Sequence, residues 1–250
     1  LHLRTGSDPA SSAAQAAQPQ SQVNRWLAWS LDRSGNGLPY TNLNNAVIVL
    51  ESDATLKGLA WFDEFLQRIL TAGRVDGPAR EWTDADDIGL TLYMQREIGL
   101  TKIGLDVIRN AVVAVAQRDR RNVVRDWLNA LEWDATPRID HFFIDVFGAE
   151  DNEYTRAVGR NFWTSIAARV YRPGCKVDNM VILEGAQGLG KSEALRIIGG
   201  DWFAEQHESA TNAKAFAEVL QGKLVIEISE MDAFSRAEVN TIKKIVSAHS

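Results

Sequence analysis

The first half of the chain carries apolar residues at the three- and four-residue spacing that is typical of amphipathic helices. Thr83 and Asp86 have the spacing of a capping box, which predicts a helix that begins there and ends at Gly99. A second helix, predicted from Thr101, has a stripe of apolar positions along one face: Ile103, Val107, Ile108, Ala111, Val112 and Val115. We therefore expect residues 23–150 to form a mostly helical domain.

Two further apolar segments lie in this first half. A third helix is predicted from the positions Val124, Trp127, Leu128 and Leu131, and Pro137 marks a break after it. The run 46–50 is apolar throughout, so its periodicity does not distinguish a short strand from a helix. We find no internal repeat in the chain.

The pattern changes at about residue 151. A helix predicted over 154–170 precedes an apolar run at 180–184, and a glycine-rich loop and another helix follow that run. A further helix is predicted over 211–221, a second buried strand over 224–228, and a last helix from the capping-box pattern at 235–238. These elements predict an α/β domain over 151–250, with parallel strands near 180–184 and 224–228 joined by a right-handed crossover.

Residues 1–22 differ in composition from the rest of the chain. Ala, Ser, Gln and Pro dominate this segment, so it buries too little apolar surface to offset its ordering entropy. We expect a disordered linker or tail, either a tether to an upstream domain or a free terminus. The chain begins with Leu1 rather than Met, which favours a fragment of a longer protein.

Composition restricts the class of protein. The chain has 250 residues, of which 45% are hydrophobic and 24% charged, as in ordinary globular domains. Its net charge of −6 argues against a basic coat for nucleic acid. Cys175 is the only cysteine, which excludes an internal disulfide and favours a reducing, cytoplasmic compartment. No apolar run reaches the roughly 20 residues of a membrane span, so we expect no membrane partner.

One motif carries specific chemistry. Residues 185–192 match the pattern G-x-x-x-x-G-K-[ST] at every fixed position, which are Gly185, Gly190, Lys191 and Ser192. All eight residues are candidates for binding the nucleotide, including those at the variable positions: Ala186, Gln187, Gly188 and Leu189. Glycines let successive backbone N–H groups curl around a phosphate, and a helix that begins near Lys191 directs its positive dipole end toward the same anion. Lys191 is expected to contact the terminal phosphates and Ser192 to bind Mg²⁺. The motif therefore predicts a nucleotide-phosphate site with ATP and Mg²⁺ as cofactors.

A phosphate loop of this kind requires an acidic group on a neighbouring strand. The run 224–228 contains Glu227, and Glu230 follows just past its predicted end, where Asp-Glu is the usual pair. Glu230 is a candidate for binding the metal or polarising the attacking water, and Glu227 is the other candidate. Asp232 is a third acid, and we favour an ordinary loop role for it. Which glutamate is the main acid stays open at this point.

Two other features have a functional and a structural interpretation. Arg118, Arg120, Arg121 and Arg125 could contact phosphates, but the interleaved acids favour a solvated, ion-paired helix end. The eight tryptophans, among them Trp61, Trp127, Trp133 and Trp163, could stack on bases. Because most of them lie among apolar residues, core packing is favoured for nearly all.

Several motifs in order resemble the virulence-associated protein E family. They are the phosphate loop, Glu227-Ile-Ser-Glu230, Pro173-Gly-Cys-Lys176, Trp133-Asp-Ala-Thr-Pro-Arg138 and Trp82-Thr-Asp-Ala-Asp86. The resemblance runs from about residue 40 to Ser250. It places the chain with phage and poxvirus-type primase-helicases, which are similar to superfamily-3 helicases.

This resemblance implies a fold, an activity and a set of partners. The fold would be a P-loop NTPase domain of the AAA+-like kind behind a mostly helical domain. The activity would be ATP hydrolysis that drives movement on single-stranded or origin DNA, in the replication of phages, prophages or mobile islands. The intact protein would form a ring of identical subunits with a primase domain upstream. Lys191 and Ser192 carry over as phosphate and Mg²⁺ ligands, and Glu230 with Glu227 as the catalytic acids.

The chain departs from this family in one respect. The pore loop, the sensor Asn and the arginine finger of such enzymes would lie beyond Ser250, so we expect a domain truncated at its C-terminal side, with weak activity on its own. Two alternatives remain, a small-molecule or nucleoside kinase and a non-catalytic docking module for a primase or other replication partner. A kinase should have an Arg-rich lid, which the sequence lacks, and a GTPase should have Asn-Lys-x-Asp, which it also lacks.

Overall fold

The computed structural model describes residues 20–72, 79–173, 175–177, 179–206 and 220–229. Its helices are α1 (Gln20–Ala28), α2 (Leu43–Ser52), α3 (Asp84–Tyr93), α4 (Leu105–Ala116), α5 (Val123–Asn129), α6 (Phe142–Phe147), α7 (Glu153–Tyr171) and α8 (Lys191–Gly199). A π-helical turn, Met94–Ile98, extends α3, and a 3-10 turn, Gly200–Trp202, follows α8. Helix α1 begins within the segment 1–22, and residues 1–19 lie outside the described residues.

Six short strands complete the described elements. They are β1 (Trp61–Asp63), β2 (Arg68–Thr71), β3 (Arg80–Glu81), β4 (Arg120–Arg121), β5 (Phe203–Gln206) and β6 (Val225–Ile228). The first four form a sheet in the order β3-β2-β1-β4, and β2 pairs antiparallel with β3. Sequence reasoning missed this sheet because strands of two to four residues are too short to show a two-residue period. The mostly helical region therefore also contains a small sheet.

The chain divides into two compact units. The described residues of Leu1–Phe62 and Ile69–Arg120 form the first, and those of Asp63–Arg68 and Arg121–Ser250 form the second. This division groups 121–150 with the phosphate loop. The sequence-derived limits 1–22, 23–150 and 151–250 stay predictions.

The core of the first unit lies between α2, α3 and α4. The run 46–50, which was ambiguous in the sequence, lies in helix α2, and the Asn42 side chain accepts a hydrogen bond from the Asn45 backbone N–H at its start. Ala46, Val49 and Leu50 are buried on one face of this helix. Buried residues of α4 pack in the same cluster: Ile108, Ala111, Val112 and Ala116. Ile108, Ala111 and Val112 confirm part of the predicted apolar stripe, and Ile103 is also buried, just before the helix. Val107 and Val115 pack against the cluster and are partly buried, and Ala116 was not predicted.

The predicted ends of α3 are confirmed. The Asp86 carboxylate accepts hydrogen bonds from the Thr83 backbone N–H at 2.9 Å and from its hydroxyl at 2.8 Å, so this cap closes the first turn. Gly99 ends the helical segment with φ 88°. The next helix was predicted from Thr101 and begins instead at Leu105, because Gly104 in extended backbone is its N-cap residue.

Helix α7 and the short helix α6 pack through aromatic side chains. Helix α7 confirms the helix predicted over 154–170. Phe142 contacts Phe162 in a stacked arrangement with ring centroids 6.0 Å apart, and Trp163 edge-on at 5.1 Å. Trp163 thus packs as predicted. Trp133, however, is 76% exposed, so its predicted core role is wrong, because residues 131–138 form neither helix nor strand.

The predicted strand at 180–184 is also wrong. The structure has no regular element over the described residues 179–186, and Ile182 is 63% exposed. An apolar run becomes a strand only beside a partner, and the sequence alone does not name that partner. The strand predicted over 224–228 is confirmed as β6, but its parallel neighbour is β5. The helices predicted over 211–221 and from residue 235 lie almost wholly outside the described residues.

Candidate functional site

Local conformation shapes the loop that precedes α8. Gly190 is the N-cap residue of α8 with φ 77°, and Gly188 has φ 84°. A residue with a side chain rarely adopts this left-handed backbone, so glycine is favoured at both positions. The loop leads directly into helix α8, which has nine residues. The first backbone N–H groups of a helix have no partner within the helix. These N–H groups with the helix dipole favour an anion at this end.

Lys191 lies over the loop. Its ammonium group donates hydrogen bonds to the carbonyl oxygens of Gly185 and Ala186, both at 2.9 Å. The positive charge is therefore held beside the glycine backbone rather than extended into solvent. Carbonyl oxygens are neutral acceptors, and phosphate oxygens would be stronger ones for the same ammonium group.

Ser192 links the helix to the sheet. Its hydroxyl donates a 2.6 Å hydrogen bond to Oε1 of Glu227, which lies on β6. The two residues are 35 positions apart in the chain, so this contact is a product of the tertiary fold. It joins the hydroxyl predicted to bind Mg²⁺ to one of the two predicted acids.

The second oxygen of Glu227 is unusual. Its Oε2 atom is buried and has no hydrogen-bond partner among the described residues. A buried carboxylate oxygen without a partner costs on the order of 1–3 kcal/mol, and more when it is charged. A carboxylate oxygen beside a serine hydroxyl is a suitable pair of ligands for a divalent cation. The residues present therefore fit Mg²⁺ in front of the phosphate loop.

The packing of α8 fixes this arrangement. At Gly199, a Cβ atom would come within 2.8 Å of the Phe203 Cβ and 3.1 Å of the Val225 Cβ. The helix therefore approaches the starts of β5 and β6 as closely as backbone allows. Sequence reasoning missed Gly199, because its close approach depends on a strand that the sequence did not assign.

Two more charged residues near the site were not predicted. Arg196, one turn after Ser192, donates hydrogen bonds to Glu193 at 3.0 Å and to Glu205 of β5 at 3.5 Å. Glu205 is the register partner of Glu227 in the parallel pair. The signal that could have found Arg196 is the spacing of four residues from Ser192, which places both on one helix face.

The remaining predicted residues are distributed as follows. Gln187 and Leu189 lie in the loop, and the Leu189 side chain is exposed. Glu230 and Asp232 lie outside the described residues. The structure therefore brings Lys191, Ser192 and Glu227 together, and the roles of Glu230 stay predictions.

The basic residues at 118–125 are engaged in contacts. Arg118 forms an ion pair with Glu51 within the first unit, and the Arg120 guanidinium lies 5.3 Å from the centre of the Phe62 ring. Arg125 lies 3.8 Å from Glu64 within the second unit. These contacts favour the ion-paired interpretation over a phosphate contact for Arg118 and Arg125.

Among the described residues, no helix combines the length and the apolar character that crossing a bilayer demands.

A comparison with known proteins bears on the second half of the chain. Residues 128–250 match the model of the virulence-associated protein E-like domain, and this range includes the phosphate loop and Glu227. No curated protein matches the chain. The resemblance over about 40–127, with the motif that begins at Trp82, stays a prediction. The part of the chain that holds the candidate site, residues 128–250, is thus similar to the virulence-associated protein E-like family.

Proposed function

We propose that the chain is the ATP-binding and ATP-hydrolysing module of a helicase-type replication protein of a phage, prophage or mobile island. The observation that carries the proposal is the 2.6 Å contact between Ser192 at the start of α8 and Glu227 on β6, directly after the glycine loop. The similarity of residues 128–250 to the virulence-associated protein E-like domain supports it. The proposed fold class is a P-loop NTPase domain.

Different residues of the site would bind the phosphates and the metal ion. Residues 185–190 with the N-terminus of α8 would receive the phosphates through backbone N–H groups. Lys191 would exchange its two carbonyl acceptors for phosphate oxygens. Ser192 and Glu227 would hold Mg²⁺, which supplies charge neutralisation at the transferred phosphoryl group. These contacts use atoms that already lie together at the start of α8.

Hydrolysis also requires a group that orients water. From its position in the sequence, just after β6, we assign this role to Glu230. Glu227 is then the metal-side acid, because its carboxylate already accepts the hydrogen bond of Ser192. Movement on single-stranded DNA, assembly into a ring and a primase upstream belong to the same proposal and rest on the family resemblance.

The test is ATP hydrolysis by the full chain, measured as phosphate release with and without single-stranded DNA. Lys191→Ala should abolish turnover, because the phosphates lose their only lysine partner in the motif. The matched control is Lys102→Ala, which removes an exposed lysine from the first unit and should leave turnover unchanged. DNA should raise the turnover of the unaltered chain several-fold.

Three outcomes would contradict the proposal in different ways. Turnover that Lys191→Ala leaves intact would place the activity elsewhere. Turnover that DNA does not change would favour a kinase, and a small phosphoryl acceptor would then be sought. A folded chain that neither binds nor hydrolyses ATP would favour a docking module.

A further inference from the structure

Two contacts join the same face of α8 to two neighbouring strands. Ser192 and Arg196 are four residues apart, so they lie one above the other on the helix. Ser192 contacts Glu227 on β6, and Arg196 contacts Glu205 on β5. Glu205 and Glu227 are register partners in the parallel pair, so their side chains leave the sheet on the same face. The four residues thus form two adjacent rungs between helix and sheet.

Arg196 is held from three sides. Glu193 lies at 3.0 Å on the helix itself, Glu205 at 3.5 Å on β5, and the Phe203 ring centre 5.4 Å from the guanidinium carbon. The Glu193 side chain is 63% exposed and that of Glu205 is 25% exposed. The contact with Glu205 is therefore the better shielded of the two ion pairs, and it is the one that ties the helix to a strand.

The charges of the opposed glutamates give a second reason why the ion pair between Arg196 and Glu205 matters to the site. Two carboxylates at directly opposed positions of neighbouring strands repel each other. The guanidinium beside Glu205 offsets that repulsion next to Glu227, while the Lys191 ammonium group is engaged at the loop carbonyls. Without Arg196, the charge of Glu205 would repel the Glu227 carboxylate, which must stay aligned with the Ser192 hydroxyl.

We propose that Arg196 and Glu205 are positioning residues that hold the Ser192 hydroxyl and the Glu227 carboxylate in the alignment required to bind the divalent cation. Neither residue touches the cation or the nucleotide. They act indirectly in two ways. Their ion pair fixes the rotation of α8 about its axis relative to the strands, and the Arg196 guanidinium offsets the negative charge of Glu205 beside Glu227. This inference rests on the proposed Mg·ATP site and adds residues to it.

The experiment separates the cation from the nucleotide. Binding of ADP is measured without metal, and binding of Mn²⁺ to the ADP-loaded full chain is then measured by electron paramagnetic resonance. Glu205→Gln and Arg196→Met should each weaken Mn²⁺ binding by about tenfold, the low end for residues that orient metal ligands. ADP binding without metal should stay within about twofold, since the loop and Lys191 are unchanged.

Three further variants make the result specific. Glu193→Gln removes the other ion pair of Arg196 and should bind Mn²⁺ as the unaltered chain does. Arg196→Lys keeps the charge and should recover part of the loss. The double variant R196M/E205Q should be no weaker than either single variant, because the two residues act through one contact.

The outcomes distinguish this inference from the proposed function. If the unaltered folded chain binds neither ADP nor Mn²⁺, the proposed site fails and the inference falls with it. If that chain binds both and E205Q and R196M bind Mn²⁺ equally well, only the positioning role is overturned. Equal losses of ADP and Mn²⁺ binding with a lower unfolding midpoint would also overturn it, because they indicate a general structural role.

Discussion

At the scale of single residues, the contact between Ser192 and Glu227 is the main structural support for the proposed function. Sequence spacing predicted Ser192 as a metal ligand and left Glu227 and Glu230 as competing acids. The hydrogen bond at 2.6 Å places Glu227 beside Ser192, and its buried Oε2 atom has no hydrogen-bond partner in the part of the chain that the structure describes. The sequence does not place Glu227 beside Ser192, because the linear pattern puts one glutamate within the apolar run and the other just past it without showing which one meets the helix.

Replacement of either residue of this contact should affect the cation more than the nucleotide. In Ser192→Ala and Glu227→Gln, we expect ADP alone to raise the unfolding midpoint as in the unaltered chain. The additional rise on adding Mg²⁺ should be lost, since ligands stabilise only through the contacts they make with the folded state. Thermal unfolding with ADP, with and without Mg²⁺, measures both. A full Mg²⁺ increment in both variants would contradict the assignment.

The cap of α3 makes a second prediction at this scale. The Arg80 guanidinium, hydrogen-bonded to Asp86, holds the pKa of that carboxyl well below its usual range, and hydrogen bonds from Thr83 act in the same direction. The ionised carboxylate therefore stabilises the fold above its unfolded-state pKa of about 3.9. Asp86→Asn should lower the free energy of unfolding at pH 7 by roughly 1 kcal/mol, allowing for partial exposure.

This difference should depend on pH in one direction. It is full near neutral pH and shrinks as the pH falls below about 4, because the carboxyl of the unfolded chain then takes up a proton while the native carboxylate, with its lowered pKa, stays ionised. Denaturant unfolding at pH 7 and at low pH measures it. Asp106→Asn, at an exposed acid in the first turn of α4, is the control. A loss that stays constant down to low pH would indicate a steric rather than an ionic cause.

At the scale of elements, the close approach of α8 to β5 and β6 holds the candidate site together. Gly199 permits this approach, since the nearest atoms to its added Cβ are the Cβ atoms of Phe203 and Val225 rather than the ends of flexible side chains. Helix and strands therefore cannot accommodate a methyl group by rotating a side chain. The same packing positions Ser192 two turns earlier on α8.

Gly199→Ala should destabilise the chain by about 1–3 kcal/mol, the usual cost of overpacking a tight contact. It should also weaken Mg²⁺-dependent stabilisation, because α8 must shift from the strands. Gly89→Ala in α3 is the matched control, since its added Cβ meets no atom within 4 Å. An alanine in a helix interior without a clash should stabilise by about 0.5–1 kcal/mol. Denaturant unfolding of both variants gives the comparison, and equal effects would refute the packing argument.

At the scale of the whole molecule, the described residues form two compact units, and all parts of the candidate site lie in the second. The core of the first unit is formed by residues of α1 to α4 and of the segments between these helices. Ligand effects should therefore be confined to the second unit.

Hydrogen exchange tests this division. Mg·ADP should slow amide exchange in peptides from 185–199 and 225–228, because bound phosphates stabilise the start of α8 and its contact with β6. Peptides from α2 and α4 should exchange at unchanged rates. Protection confined to α2 and α4 would place the nucleotide outside the phosphate loop.

The sequence by itself determined the features that depend on near neighbours in the chain. The cap of α3, the glycine that ends it, the apolar face of α4, helix α7, strand β6 and the spacing of the phosphate loop are all local. Each depends on backbone conformation or on contacts within a few turns, so the pattern of residue types predicts it. The match of residues 128–250 to the virulence-associated protein E-like domain agrees with the motifs in that range.

The tertiary structure decided everything that depends on which segments meet. It paired β6 with β5 rather than with 180–184, left Trp133 exposed, and brought Glu227 to Ser192 and Glu205 to Arg196. These outcomes are contacts between residues far apart in sequence, or between a helix and a strand that the pattern did not assign. Such contacts form only when folding brings distant segments together, and a linear pattern of apolar and polar positions does not specify which segments pair.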